Sequence, residues 1–542
     1  MSFQELYNKH CKQGHHYTYG TAGFRAHNSV LDTVMFTTGI VAVLRSIYLK
    51  SKFVGVMITA SHNPPEDNGV KIVEPHGEML VQNWEPIATK LANSASAGFT
   101  QLESALKAIT DELHIDTTQL ACITVARDSR ESGPRLLAAL RAGISVFSNV
   151  KIVDFELLTT PQLHFLTHTL NSSSSPSTVK ESAYYDHFIS MWNQLTQLHH
   201  VTELPFHLTI DCANGIGADK VKELIAQAGS VLASSLSTVN GKTDTFQLLN
   251  ESCGADFVKT NQTFPANCSP EPSQLYCSFD GDADRVVFYY MDDKENKFHL
   301  LDGDKIATLL AKLLADLLHQ CGLSDTLNLG VVQTAYANGS STKYISDDLK
   351  IPVSCTKTGV KHLHHEAVSN YDIGVYFEAN GHGTVIFSSK FVETIDIALQ
   401  ETSKTNKNKH ESLLSLQLFS QLINQTVGDA ISDMLAVVAT LSILKLKPED
   451  WDQCYHDLPN RLTKVIVPDR SVFVSTNAER QLVSPEGLQA KIDELVAKYP
   501  KSRSFVRASG TEDAVRVYAE ADTTENAIEL ATKVGEQVKL HD

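Results

Sequence analysis

One junction limits the fold more than any other stretch of the chain: the run Phe53-Val54-Gly55-Val56-Met57-Ile58, which ends abruptly in Thr59-Ala60-Ser61-His62-Asn63-Pro64-Pro65. An unbroken apolar run of this length reads as a buried strand. The Asn-Pro and Pro-Pro steps continue neither strand nor helix, so Ser61 is left on a loop just past the strand. A hydroxyl held there can act as a nucleophile, although a loop serine taken alone is more often a cap or a solvated turn residue.

The same succession of strand, polar loop and helix recurs. Residues 121–126 read as a strand and Arg127-Asp128-Ser129-Arg130 as a turn. Ser132-Gly133-Pro134 supplies the cap and first-turn proline of a helix carrying Leu136, Leu137 and Leu140. With a further strand at 151–155 this is β-α-β order, which implies a largely parallel sheet. A serine-rich stretch, 171–176, then reads as a linker. A second unit opens with a strand at 206–211, the loop Asn214-Gly215-Ile216-Gly217 and a helix near 220–228. The loop has two of the three glycines of a dinucleotide fingerprint, and the chain has no P-loop, so neither a nicotinamide site nor a P-loop kinase is expected. Leucines recur at the helical period over 304–320, and Gly322 follows as a C-cap would. The polar stretch 401–412 reads as a surface excursion, followed by a helix after Ile431 and a closing helix at about 526–538 that packs by Ile528, Leu530 and Val534.

At 542 residues the chain has room for about three to five domains. Its net charge of -17 and lack of a long basic run argue against a general nucleic-acid binder, so an anionic substrate must meet local clusters of Arg and Lys. No apolar stretch is long enough to span a bilayer, and Met1-Ser2-Phe3-Gln4-Glu5 lacks the features of a signal peptide. The cytosol is the expected compartment. Nine cysteines without a C-x-x-C pair read as reduced thiols.

Four further stretches carry chemistry. Tyr19-Gly20-Thr21-Ala22-Gly23-Phe24-Arg25 is a glycine-punctuated turn whose Arg25 could hold a phosphate. Asp67-Asn68-Gly69-Val70-Lys71 reads as a turn delivering a lysine near the serine, able to shuttle a proton or screen charge. In Asp280-Gly281-Asp282-Ala283-Asp284-Arg285 an extended chain would turn three carboxylates to one side, where they repel unless a hard cation such as Mg²⁺ lies among them. An EF-hand fails on Arg285 and Met291, and a zinc H-E-x-x-H at 365–369 fails on Ser369. Past a strand at 373–377, Glu378, Asn380 and His382 lie on a glycine-rich loop; singly each suits a turn, together they suit a sugar. Arg507, Ser509, Gly510, Thr511 and Arg516 lie in and after a turn between two strands, a good cradle for a dianionic phosphate.

In their order and spacing TAGFR, TASHNP, DGDADR, EANGHG and RASGTE resemble the α-D-phosphohexomutase superfamily over nearly the whole chain. EANGHG, TGVKHLHHEA and LLTTPQLH resemble its branch acting on N-acetylglucosamine phosphate. The chain departs at Ala283, where many relatives have Gly, and at Ala508 and Asp513. The resemblance implies an α/β protein of four domains around a central cleft, three related mixed-sheet domains and a smaller α+β C-terminal one. The expected divisions are 1–171 (phosphoserine), 172–300 (metal), 301–435 (sugar) and 436–542 (phosphate). Ser61 would be carried as phosphoserine, with Mg²⁺ held by Asp280, Asp282, Asp284 and a phosphate oxygen on Ser61. Arg25, Lys71 and His62 would serve the reacting phosphoryl group. Arg285, Glu378, Asn380, His382, Arg507, Ser509, Gly510, Thr511 and Arg516 would bind substrate.

The implied activity is interconversion of N-acetylglucosamine 6-phosphate and 1-phosphate through a 1,6-bisphosphate, feeding UDP-N-acetylglucosamine synthesis. The partner would be a small sugar phosphate, with no nucleic acid or membrane, and the chain a monomer. A glucose- or mannose-type mutase, a metal-dependent sugar phosphatase and a non-catalytic sugar-phosphate binder stay open.

Overall fold

A computed structural model describes residues 1–20, 22–272, 274–292, 294–402, 406–509 and 513–541. The chain divides into two compact units, Met1–Asp302 with Leu418–Pro448, and Gly303–Gln417 with Glu449–Asp542.

The first unit holds two five-stranded mixed sheets. One runs in the order Phe24–His27, Asp67–Val73, Phe53–Ile58, Ala121–Arg127, Val150–Leu157. The strand Phe53–Ile58 is buried at every position and pairs in parallel with Ala121–Arg127, as its unbroken apolar run requires. The helix Asp32–Tyr48 covers this sheet and crosses the helix Gly133–Ile144 closely. A Cβ at Gly143 would lie 1.8 Å from the Phe36 carbonyl oxygen, so the crossing depends on glycine there. The other sheet runs Lys297–Leu301, Val286–Asp292, Gln274–Phe279, His207–Asp211, Leu236–Val239.

Three expectations change in this unit. Residues 67–71, read as a turn, belong to the strand Asp67–Val73, which pairs antiparallel with Phe53–Ile58 and sets Lys71 opposite Met57. The turn preference of Asn-Gly is overridden because Gly69 fits where a Cβ would strike the Phe24 and Thr59 carbonyl oxygens, at 2.4 and 2.7 Å. Ser132 makes no side-chain cap; its hydroxyl accepts from Asn68 Nδ2 at 2.8 Å instead. The expected boundary at 435/436 falls inside the continuous helix Ala430–Leu444, buried from Ala430 to Ser442, which belongs to the first unit. Its first amide donates to the Ala283 carbonyl at 3.0 Å, tying it to the acidic loop.

The second unit holds a four-stranded mixed sheet, Val353–Thr356, Leu329–Thr334, Ile373–Phe377, Gly383–Phe387. The helix Gly303–Cys321 is followed by Gly322 at φ +69°, as its leucine pattern and C-cap signal indicate. A smaller antiparallel sheet orders Asn460–Ile466, Ala514–Glu520 and Arg503–Ala508, with a separate hairpin of Val474–Thr476 and Gln481–Ser484. In the stretch 401–412, residues 403–405 lie outside the described residues, and from Lys407 the chain is already in the helix Lys407–Leu422. In the closing helix Thr524–Leu540, Leu530 and Val534 are buried but Ile528 is 46% exposed, one step off the apolar stripe.

Candidate active site

Ser61 sits just past the end of Phe53–Ile58 with φ +48°, a left-handed backbone that costs a non-glycine residue energy and persists only when its surroundings enforce it. The enforcing group is Arg130, 1% exposed. Its Nη2 donates to the Ser61 and Asn63 carbonyls, both at 2.9 Å, and its Nη1 to those of Pro64 and Asp67, at 2.5 and 2.8 Å. Nε meets Asp128 Oδ2 at 3.1 Å, while Asn250 Nδ2 adds a second donor on the Ser61 carbonyl at 3.0 Å. Nothing local in the sequence marks Arg130 or Asn250, because the carbonyls they hold are distant in the chain.

The acidic triplet meets this loop. Ser61 Oγ donates to Asp282 Oδ2 at 3.0 Å and accepts from Arg25 Nη2 at 2.9 Å. The same carboxylate oxygen accepts from Thr160 Oγ1 at 2.6 Å and Thr59 Oγ1 at 3.2 Å. Lys71 Nζ lies 2.9 Å from Asp284 Oδ2 and 3.5 Å from Asp282 Oδ2. Asp280, Asp282 and Asp284 each offer one oxygen within 4.8 Å of the others. They converge by a turn rather than by extension: Asp280 Oδ1 accepts from the amides of Asp284 and Arg285, at 3.0 and 3.2 Å, and Ala283 stands at φ +55°. That backbone is the one glycine adopts freely and a residue with a Cβ adopts only at a cost. Gly281 approaches the loop so closely that a Cβ would lie 2.5 Å from the Ser61 carbonyl oxygen.

The donor set fits a hard divalent cation. Asp280 Oδ2 and Asp282 Oδ1 are buried and receive no hydrogen bond from the described residues. Burial first, then the charges of Asp284 and Asp282, push the Asp280 carboxyl well above the usual range. An ion such as Mg²⁺, which takes oxygen ligands, removes both penalties. Chelation is expected to abolish turnover and lower the thermal midpoint, and Mg²⁺ to restore both; a midpoint indifferent to Mg²⁺ would contradict this fit.

The cations around the serine differ in character. Burial works against the Lys71 ammonium, but Asp284 and Asp282 outweigh it and leave its pKa raised. For His62, burial and then the charges of Arg285 and Arg25 drive the imidazole down to about 2, so it is neutral in this arrangement. Arg285 Nε stands 3.8 Å from Asp284 Oδ1 and 3.9 Å from Asp280 Oδ2.

The second unit carries its own set. Glu378–His382 forms a tight turn: the Glu378 amide donates to the His382 carbonyl at 2.9 Å, and Gly381 takes φ +85°. Asn380 Oδ1 accepts from the His382 amide at 3.0 Å, and Glu378 Oε1 from that of Gly359 at 3.1 Å. Arg507 and Arg516 are direct cross-strand partners. Like charges so placed destabilise a sheet, which favours an anion between them. Arg507 Nε donates to Glu479 Oε1 at 2.8 Å. The Ser509 amide donates to the Ala514 carbonyl at 2.8 Å, while Gly510 and Thr511 lie outside the described residues.

Family models place the chain in a class. Those described as phosphoglucomutase/phosphomannomutase match residues 22–98 and 99–176 (alpha/beta/alpha domain I) and 462–537 (C-terminal domain). With the serine set against buried carboxylates and four α/β domains, this is an α-D-phosphohexomutase. Models described as phosphoacetylglucosamine mutase AMG1 match residues 174–287 (domain II) and 302–446 (domain III). The phosphoacetylglucosamine mutase of Saccharomyces cerevisiae is 54% identical over 550 residues, covering 99% of this chain and 98% of that protein. A crystal structure of N-acetylglucosamine-phosphate mutase in the product complex superposes with a TM-score of 0.93 at 53% identity, covering 99% of this chain and all of that one. The Aspergillus fumigatus N-acetylphosphoglucosamine mutase, crystallised with GlcNAc-6P and magnesium, gives a TM-score of 0.92 at 44% identity, covering 100% of this chain and 99% of that one. The chain belongs to the phosphoacetylglucosamine mutase family. Among the described residues no helix is long and apolar enough to cross a membrane.

Proposed function

We propose that the chain interconverts N-acetylglucosamine 6-phosphate and N-acetylglucosamine 1-phosphate, with Ser61 carrying the phosphoryl group that is exchanged. The observation that carries this reading is the Ser61 hydroxyl, 3.0 Å from Asp282 in the buried triad and 2.9 Å from Arg25. The oxygen of substrate O1 forms a bond to phosphorus as the bond from Ser61 Oγ breaks, giving the 1,6-bisphosphate. After the sugar reorients, its 6-phosphate passes to Ser61 by the reverse chemistry. The proton lost from O1 is matched by the one gained at O6, so a full cycle is proton-neutral.

Such transfers pass through a loose transition state, so alignment and charge stabilisation dominate. Phosphoserine brings roughly -1.5 to -2 charges. Arg25 and Lys71 offset that charge, while Arg130 holds the loop that aims the serine. Mg²⁺ bound by Asp280, Asp282 and Asp284 would stabilise negative charge on the transferring phosphoryl oxygens. We assign sugar hydroxyls to Glu378, Asn380 and His382, and the phosphate that is not reacting to Arg507, Ser509, Gly510, Thr511 and Arg516, with Arg285 as a further cation. His62, neutral beside two arginines, is assigned to packing and hydrogen bonding rather than to carrying charge.

The chain would act as a monomer in the cytosol, feeding UDP-N-acetylglucosamine synthesis, with no nucleic acid or membrane as partner. The sugar is tested by measuring turnover of N-acetylglucosamine, glucose and mannose phosphates side by side. The N-acetyl substrate is expected to lead by about tenfold or more in kcat/KM, because an amide partner left unpaired by a hydroxyl sugar is costly. Equal rates with glucose phosphate would place the chain's activity with the glucose-type mutases.

A further inference from the structure

The hairpin of Val474–Thr476 and Gln481–Ser484 is closed by Asn477-Ala478-Glu479-Arg480, in which the Arg480 amide donates to the Asn477 carbonyl at 3.2 Å. Asn477, Ala478 and Glu479 have φ of +51°, +55° and +66°. Positive φ at both central positions is what a primed hairpin turn demands, and Asn-Gly or Asp-Gly normally fills it because a side chain crowds the backbone there. Here the second central residue is a glutamate. Violations of local preference that persist in this way collect at functional positions.

The carboxylate so placed reaches two segments far away in sequence. Glu479 Oε1 accepts from Arg507 Nε at 2.8 Å, and Oε2 from the Thr358 amide at 3.0 Å and the Thr358 hydroxyl at 2.5 Å. The next amide, that of Gly359, donates to Glu378 Oε1 at 3.1 Å. A continuous path of hydrogen bonds and one peptide link therefore joins Arg507, Glu479, Thr358, Gly359 and Glu378. The Glu479 side chain is only 12% exposed. With Nε committed to Glu479, and the Tyr336 hydroxyl a further partner of Arg507, the guanidinium plane is fixed.

We propose that Glu479 is a positioning residue that couples the phosphate arginine to the sugar loop, so that the unreacting phosphate and the sugar hydroxyls are gripped in one register. This deepens the function proposed above and rests on its assignment of Arg507 and Glu378 to substrate. Since either phosphate must occupy the same cradle in turn, the register serves both half-reactions.

Glu479→Gly and Glu479→Gln in the full chain separate this role from a structural one. Glycine takes the positive φ without strain, so it removes the carboxylate while relieving the backbone. With N-acetylglucosamine 6-phosphate, KM is expected to rise about tenfold in both variants with kcat changed less than about threefold. The thermal midpoint of the glycine variant is expected at or above the parent's, and Glu479→Asp is expected to recover part of the loss. A glycine variant with parental KM overturns the coupling, as does a KM increase found only where the thermal midpoint falls. A parent chain without mutase turnover would overturn the proposed function itself, and the coupling with it.

Discussion

Ser61→Ala is expected to lower mutase turnover by roughly 10⁴-fold or more, since removing a covalent nucleophile leaves only the binding and electrostatic remainder of catalysis. The fold should hardly notice. Without the hydroxyl, Asp282 Oδ2 still accepts from Thr59, Thr160 and Lys71, and Arg25 keeps Asn63 Oδ1 at 3.3 Å. The loop carbonyls stay on Arg130 and Asn250, so the thermal midpoint should remain near the parent's. The same variant separates the mutase from a metal-dependent phosphatase, which would use an aspartate of the triad and not the serine. Turnover of sugar phosphate to free sugar that survives Ser61→Ala would favour the phosphatase.

Arg130→Ala should produce the largest loss of stability. The guanidinium serves four loop carbonyls and Asp128, and it is 1% exposed. Its removal leaves Asp128 buried without its ion pair, and breaking such a pair costs about 3–5 kcal/mol. The freed carbonyls let Ser61 leave its left-handed backbone, and a misplacement of about 1 Å at a reacting atom can cost about 10²-fold in rate. Arg130→Lys should recover little of either, because a single ammonium cannot reproduce the planar fork. Denaturant unfolding and turnover measured on both variants check this. A lysine variant with parental stability and rate would mean that the loop holds its shape without the fork.

Much of this was legible because it is local. The buried strand before Ser61, the helix followed by Gly322 and the two strands that carry Arg507 and Arg516 each announce themselves within a dozen residues. The acidic triplet is legible too, although extension is not what brings it together. The carboxylates meet through a turn with Ala283 left-handed, and the alternation of an extended strand plays no part. What the sequence concealed are residues whose roles exist only after folding. Arg130 reads as a turn residue, and Thr160 and Asn250 carry no signal of their own, yet all three converge on Ser61 or on its carboxylate partner. Lys71 lies beside the acidic triplet, but on a strand where the sequence suggests a turn. Asn68-Gly69 suggests a turn, and only the close approach of Gly69 to two neighbouring carbonyls makes it strand. The expected boundary at 435/436 crosses the helix Ala430–Leu444 because all-round apolarity signals burial without saying in which unit.

The central claim is tested most directly by charging Ser61 with ³²P from a labelled sugar 1,6-bisphosphate, isolating the protein, and mixing it with unlabelled N-acetylglucosamine 6-phosphate in a single-turnover experiment. The account predicts that the label leaves the Ser61 peptide at no less than the steady-state rate and appears in the sugar bisphosphate and then in the monophosphates. Label that stays on the protein through many turnovers, or that emerges only as inorganic phosphate, would contradict it.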